Sequence, residues 1–288
     1  MIDLDLLIKK TCETAPFPIS TVRLAQLIAS PEYHLSDVID IIRYDQVLTL
    51  RLLHAANSAA NALQTRVTTV SEAVFRMGTG QILSLAVAAG VRPLFNQRTL
   101  PRYGEDKLWR HSLAAAVAAE TTQGFCSVPL PSNVFTAALL HDIGKLTIGR
   151  FLDESSVKSI FQARDEGNLT QLEAESQVLG MHHGELGGMV ARGWQMPDGI
   201  INGIIHHHNP EAGNDIVCDF VYFSNQVGKQ IETGLDGGGF NFTEVYEEKL
   251  SYLPSVIKRI GVTPSRLDDL CPVAATKFEQ ISKRYNAV

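Results

Sequence analysis

The sequence has little charge, few cysteines and no long apolar run. Charged residues make up 19% and hydrophobic residues 45%, against about 25% charged in ordinary globular domains. A disordered chain needs the opposite balance and is excluded. Acids outnumber bases, 31 to 25, for a net charge of −6. An acidic chain with scattered arginines has no basic face for phosphate neutralisation, which excludes a nucleic acid duplex as partner. The four cysteines, at 12, 126, 218 and 271, form no C-x-x-C pair. Neither a zinc knuckle nor a disulfide framework is indicated, which points to a reducing compartment. The first ten residues, MIDLDLLIKK, carry acids where a secretory leader carries a basic region. The longest apolar stretch, ILSLAVAAGV at 82–91, is ten residues long, and a membrane span needs about 20. A cytoplasmic protein with no membrane partner is expected.

Alternating strand patterns bounded by tight turns are also scarce, and neither an internal repeat nor a low-complexity tract stands out. Almost every segment instead has a helical period. Residues 21–30 place Val22, Leu24, Leu27 and Ile28 near one face, with Ser20 as the expected cap. Ser36 and Ser71 are the expected caps of the next helices, and Gly78 ends the segment that Ser71 opens. VFTAALLHDIGKLTI (134–148) reads as one helix. Thr170 and Glu173 form a T-x-x-E capping box, and Pro197 suits a first helical position. Thr263-Pro264 starts a last amphipathic helix reaching about Lys283. The polar stretch 92–106 is a candidate hinge, and 235–242 is a glycine-rich loop. The expected fold is all-α and two-lobed, with an N-terminal lobe at 1–105, a second lobe at 106–234 and a C-terminal helical tail at 235–288.

Histidine is what the chain has in concentration. Of nine, seven fall between 111 and 208. His111, His141-Asp142, His183 and the run His206-His207-His208 stand on four separate elements, which suggests convergence on one pocket. Imidazole nitrogens with a carboxylate oxygen suit Mn, Fe, Ni or Zn. Adjacent helical residues point about 100° apart, so one cation can use both His141 and Asp142 only at a loosened helix end. Gly144 is placed to loosen that turn. His34 and His54 read as ordinary structural histidines, and Trp109 and Trp194 as packing anchors. Asn57-Ser58 reads as a cap or turn, and the glycines of GELGGM (184–189) as close packing between helices.

These residues carry a resemblance. LLHDIGKL (139–146) resembles the central motif of the HD phosphohydrolase superfamily. More specifically, PFPIS (16–20), YDQVLTLRLLHAANSAA (44–60), TVSEAVFRMGTGQILSLAV (69–87), LWRHSLAAA, AALLHDIGKL, GMHHGELGGMVARGWQMP and IIHHHNP follow the order of the HDOD family, the HD-related output domains of bacterial signalling proteins. The resemblance covers about residues 16–213. It implies a two-lobed helical fold and a regulatory role with signalling-protein partners, in a family whose members often lose the HD ligands. This chain keeps His111, His141 and Asp142. It also keeps His183, His207 and His208, at positions similar to the extra ligands of the HD-GYP cyclic-di-GMP phosphodiesterases. Lys145 stands where related enzymes set a lysine against phosphate, which makes it the candidate catalytic residue and implies a phosphate-containing ligand.

Two departures from the enzymes are plain. EAGND follows HHNP where GYP would stand, and Asn225 occupies the place of the distal aspartate. Asn225 can offer a neutral carbonyl oxygen but no bridging anion, which compromises a two-metal hydrolytic site. The expected function is a regulatory protein with a partly retained metal site. It would take one divalent transition metal at most, chiefly through His111, His141 and Asp142. The alternative is a metal-dependent phosphohydrolase acting on a phosphate ester or a cyclic nucleotide. His182 and His206 are expected to face away from the site.

Overall fold

The computed structural model describes residues 4–14, 17–57, 67–95, 105–235 and 252–286. Most of the candidate hinge at 92–106 and of the loop at 235–242 lies outside them. The first five helices are α1 (Leu4–Thr14), α2 (Ile19–Ala29), α3 (Leu35–Arg43), α4 (Gln46–Ala56) and α5 (Val70–Phe95). Then come α6 (Glu105–Thr122), α7 (Val134–Leu140), α8 (Ile143–Phe151), α9 (Glu154–Gly167) and α10 (Gln171–Leu179). The chain continues through α11 (His183–Gly193), α12 (Asp198–Ile205), α13 (Pro210–Gly213) and α14 (Ile216–Leu235). It closes with α15 (Leu253–Ile260) and α16 (Pro264–Asn286). Among the described residues the extended pairing is one isolated bridge, Cys126 to Val262. The fold is all-α, as the periodicity implies.

One hydrophobic core runs from Phe17 to Phe278 and takes in both halves of the chain. A smaller core gathers Leu7, Ile148, Phe161, Leu179 and Leu186. Through it α1 packs on α8 and α11, beside the histidine-bearing elements. Trp109 and Trp194 are both buried, and Trp194 packs its ring 5.1 Å from Phe17. Residues 70–92 of α5 are long and apolar enough to cross a membrane by composition. The helix is broken at Gly78, where φ is 75° and ψ 158°, a conformation that only glycine adopts at little cost. Beyond the break it buries Ile82, Leu83, Val87 and Val91 in the core.

Several helix ends differ from the sequence expectation, for local reasons. Ser20 does not cap α2, which starts at Ile19; its hydroxyl donates to Asp45, the residue that caps α4 through Leu48 N at 2.9 Å. α3 opens at Leu35, one residue before Ser36. At α5 the pair Thr69 and Glu72 satisfies two backbone groups reciprocally and displaces Ser71 as the start signal. Pro197 is the residue before α12 and not its first member. The Thr170–Glu173 capping box is present as expected. Asn57 caps α4 and also bonds to Val67 through two 2.8 Å contacts, while Ser58 lies outside the described residues.

The helix expected over 134–148 is two helices, α7 and α8, parted at His141-Asp142. Asp142 takes φ −97° and ψ 11°, off the helical well. Gly144 acts differently from the expected loosening. A Cβ there would lie 2.0 Å from the carbonyl oxygen of His183, so its bare α-carbon lets α8 and α11 touch.

Glycine sets a second close approach. α14 lies along α6, and a Cβ on Gly228 would meet Ala115 N at 2.9 Å. Backbone cannot yield as a side-chain tip can. Gly228→Ala should therefore destabilise by about 1–3 kcal/mol, the usual overpacking cost, and lower the thermal midpoint by several degrees. An unchanged midpoint in calorimetry would contradict the close helix contact.

Candidate metal centre

Five helical elements deliver the expected residues to one place. His111 comes from α6, His141 and Asp142 from the break between α7 and α8, and His183 from the first position of α11. His207 and His208 follow the end of α12, and Asn225 sits on α14. His141, Asp142, His183 and His207 are each no more than 1% exposed. The cluster is buried against helices that sequence distance separates by as much as 114 residues.

The Nδ1 atoms of four of these rings are tied down by groups that only accept. His141 Nδ1 donates to the Ala138 carbonyl at 2.7 Å, and His207 Nδ1 to the Ile204 carbonyl at 2.6 Å. His183 Nδ1 donates to Glu175 Oε2 at 2.7 Å, and His111 Nδ1 to Glu232 Oε2 at 2.9 Å. Each acceptor fixes both the tautomer and the ring plane, leaving Nε2 to face inward. This is the outer arrangement that metal-bound imidazoles need.

Asp142 stands at the centre and its two oxygens differ. Oδ2 accepts from Lys145 Nζ at 2.9 Å, and lies 3.4 Å from His141 Nε2 and 3.8 Å from His111 Nε2. Oδ1 lies 3.3 Å from His183 Nε2 and 3.7 Å from His207 Nε2, yet completes no hydrogen bond. His141 Nε2 is likewise buried without a hydrogen bond. Two donor sets result: His111, His141 and Asp142 on one side, and His183, His207 and His208 on the other, each within 4.8 Å.

The donor atoms fit a cation. His183 Nε2 is 2.8 Å from His208 Nε2 and 3.3 Å from His207 Nε2. Two nitrogens each about 2.1 Å from a shared zinc, at right-angle to tetrahedral spacing, lie about 3.0–3.4 Å apart. Three inward nitrogens and an unsatisfied carboxylate oxygen are a donor set for a divalent transition metal.

Charge in the cluster follows from burial. Burial holds the pKa of His141 down, with His111 adding to the effect. It pushes His207 and His208 well below the ordinary imidazole value, helped by neighbouring imidazoles. All three favour the neutral, ligating form. Burial acts most strongly to lower His183, but Glu175 and Asp142 together raise it and the net direction is up. Burial alone would raise Asp142, but His141 and Lys145 overcome it and hold the carboxyl well below its usual range.

The outer acids Glu175 and Glu232 were not expected from the sequence. Glu175 is fully buried and its Oε2 also accepts from the His183 backbone N–H at 2.7 Å. Its signal was an acid on the buried side of α10, beside Ala174 and Leu179. Glu232 lies seven residues after Asn225, two turns along one face of α14. Both reach His111, since Asn225 Oδ1 lies 3.1 Å from His111 Nε2. Lys145, expected against phosphate, is paired with Asp142. His182 caps α11, accepting from Gly184 N at 3.1 Å, and His206 ends α12 half-buried, so neither enters the cluster. Asp219 turns to Arg259, which donates to its two oxygens at 2.8 and 2.6 Å. The glycines of GELGGM pack tightly: a Cβ on Gly187 or Gly188 would strike Ile204 or Ile205.

The HDOD domain model matches residues 15–210. The chain belongs to the HDOD family. An uncharacterized protein of Treponema pallidum (strain Nichols) is 25% identical over 215 residues, 73% of this chain and 41% of that one. The chain thus spans less than half the length of that curated relative. The structure of an HDOD domain protein of unknown function from Geobacter sulfurreducens is similar, with a TM-score of 0.69 at 24% identity. It covers 96% of this chain and 98% of that one. A candidate signal transduction protein from Marinobacter aquaeolei gives a TM-score of 0.71 at 19% identity. It covers 98% of this chain and 64% of that one. At these identities the structural likeness speaks for the HDOD fold.

The buried imidazoles make stability depend on acid. His141, His207 and His208 have folded pKa values below the unfolded value of about 6.5. Their stabilisation is complete above that pH and is lost as pH falls, because the unfolded chain then binds protons that the folded one does not. His183, shifted up, acts in the opposite sense, being stabilising below about pH 6.5 and losing that contribution as pH rises. Three rings against one set the sign. The unfolding free energy from urea titration should fall between pH 7.5 and 5.5, by about 1.4 kcal/mol per pH unit for each unmatched proton, and the midpoint with it. A midpoint that rises over that window would refute the charge assignment.

Proposed function

We propose that this HDOD protein is a regulatory component of signal transduction whose HD site binds one divalent transition metal, with phosphodiester hydrolysis weak or absent. The observation that carries the reading is Asn225. Its neutral amide lies 3.1 Å from His111 Nε2, where a second metal would need an anion. The residues put forward to hold the metal come from the set His111, His141, Asp142, His183, His207, His208 and Asn225, and Fe, Mn, Ni or Zn would suit them. The metal would supply charge to fix the junction of α8, α11 and α12. Lys145 would neutralise Asp142 and remain within reach of a phosphate-bearing ligand. Partners would be signalling proteins, with the N-terminal lobe at 1–105, the HD lobe at 106–234 and the tail at 235–288 as the working division.

The second reading is a metal-dependent phosphohydrolase acting on a phosphate ester or a cyclic nucleotide. The retained donor set beside Lys145 favours it. Metal content of the purified protein, followed by turnover of an aryl phosphate and of cyclic dinucleotides with added Mn or Fe, separates the two. We expect about one equivalent of metal and no turnover above the metal-only control. Asn225→Asp restores an anion beside His111 and should strengthen metal binding on that side of the cluster. Robust wild-type turnover that His141→Ala abolishes would overturn the regulatory reading.

A further inference from the structure

The two oxygens of Asp142 are in different chemical conditions, and this bears on where a cation can sit. We infer that Asp142 serves two unlike cations: a divalent metal on Oδ1, held with His183, His207 and His208, and the Lys145 ammonium on Oδ2. This rests on the metal-binding reading above and narrows it to one side of the carboxylate. The protein's own lysine stands in for a second metal.

Three observations support the division. Oδ2 already has a cation, the Lys145 Nζ at 2.9 Å, whereas Oδ1 completes no hydrogen bond in a fully buried position. Its neighbours there are His183 Nε2 at 3.3 Å and His207 Nε2 at 3.7 Å, so a metal at Oδ1 would meet nitrogen donors already gathered around a buried oxygen that is costly to leave without a hydrogen bond. On the Oδ1 side the imidazole nitrogens crowd together at 2.8 and 3.3 Å, a spacing that needs either a proton or a cation between them. On the Oδ2 side His111 is occupied at both ends. Glu232 accepts from Nδ1 at 2.9 Å, and Asn225 closes on Nε2 at 3.1 Å.

Asparagine is decisive at that position because its side chain can present either end. Oδ1 accepts from a ring N–H, and the amide N–H₂ donates to a ring lone pair. Either way the Nε2 of His111 is satisfied within the protein. An aspartate there could only accept, and next to a ring already held by Glu232 it would favour a metal between itself and His111. His141, whose ring centre is 4.8 Å from that of His207 and 5.1 Å from that of His111, stands between the two sides and is not needed to separate them.

The test is isothermal titration of the purified full chain with zinc, with the visible absorption of bound cobalt(II) as a second readout of the ligand set. Wild type should bind one equivalent. His208→Ala, at a part-exposed position, should weaken binding tenfold or more, and His183→Ala should do the same if it folds. His111→Ala should stay within about threefold and leave the cobalt spectrum unchanged. Lys145→Met combined with Asn225→Asp, which removes the internal cation and restores the anion, should raise the stoichiometry from one to two. Circular dichroism confirms that each variant is folded. If His111→Ala costs tenfold or more, or if His208→Ala costs nothing, the assignment to the Oδ1 side is wrong while the metal reading stands. If neither wild type nor the double variant binds zinc or cobalt, the metal reading itself falls and this assignment with it.

Discussion

A charged carboxylate at the bottom of a helical core is the constraint on which the rest of this structure depends. Asp142 is 1% exposed, and an ion so placed is tolerable only where opposite charge and directed donors surround it. The local fold is built to that demand. The chain breaks between α7 and α8 so that Asp142 can leave the helical path. Gly144 then admits α11 so closely that His183 arrives beside the carboxylate. Lys145, three residues on, turns back to give its ammonium to one oxygen. The histidine end of α12 closes the other side. Without the acid, these helices would have no reason to bring so many polar groups together in an apolar interior.

The surrounding shell extends the same logic outward. Glu175 and Glu232 do not touch Asp142, yet each fixes a ring that does approach it. Farther out, α15 and α16 lie beyond the residues matched by the family model and pack on α14 and α6, the helices that carry Asn225 and His111. Arg259 of α15 satisfies the carboxylate of Asp219, six residues before Asn225, and also lies 3.7 Å from Glu211. The C-terminal segment is thus tied to both flanks of the cluster.

Much of this was legible in the sequence because histidine and glycine leave marks that periodicity cannot hide. An acid-histidine pair on an apolar segment, with further histidines at helix ends, marked the residues that meet. The T-x-x-E pattern at 170–173 marked a helix start. Ser20 and Ser36 misled because a serine near a helix start is a weak signal, and a neighbouring contact or one residue of phase moves the end. The break at His141-Asp142 was hidden because LLHDIGKLTI is apolar on a helical period throughout, and only tertiary packing against α11 makes the interruption worthwhile. Glu175 and Glu232 were missed for another reason. Nothing in a sequence says that a glutamate's partner is an imidazole, until the two helices are side by side.

The tie between His141 Nδ1 and the Ala138 carbonyl, matched by that between His207 Nδ1 and the Ile204 carbonyl, spans only three residues each time. Each ring is therefore aimed by its own helix end and not by a distant partner. The partners are three residues away, so the ordering entropy of the two rings is offset by bonds within one helix end and not by contacts between helices. In this chain the aim of both rings is written into the helix ends that carry them, so a substitution elsewhere in the domain leaves that aim in place.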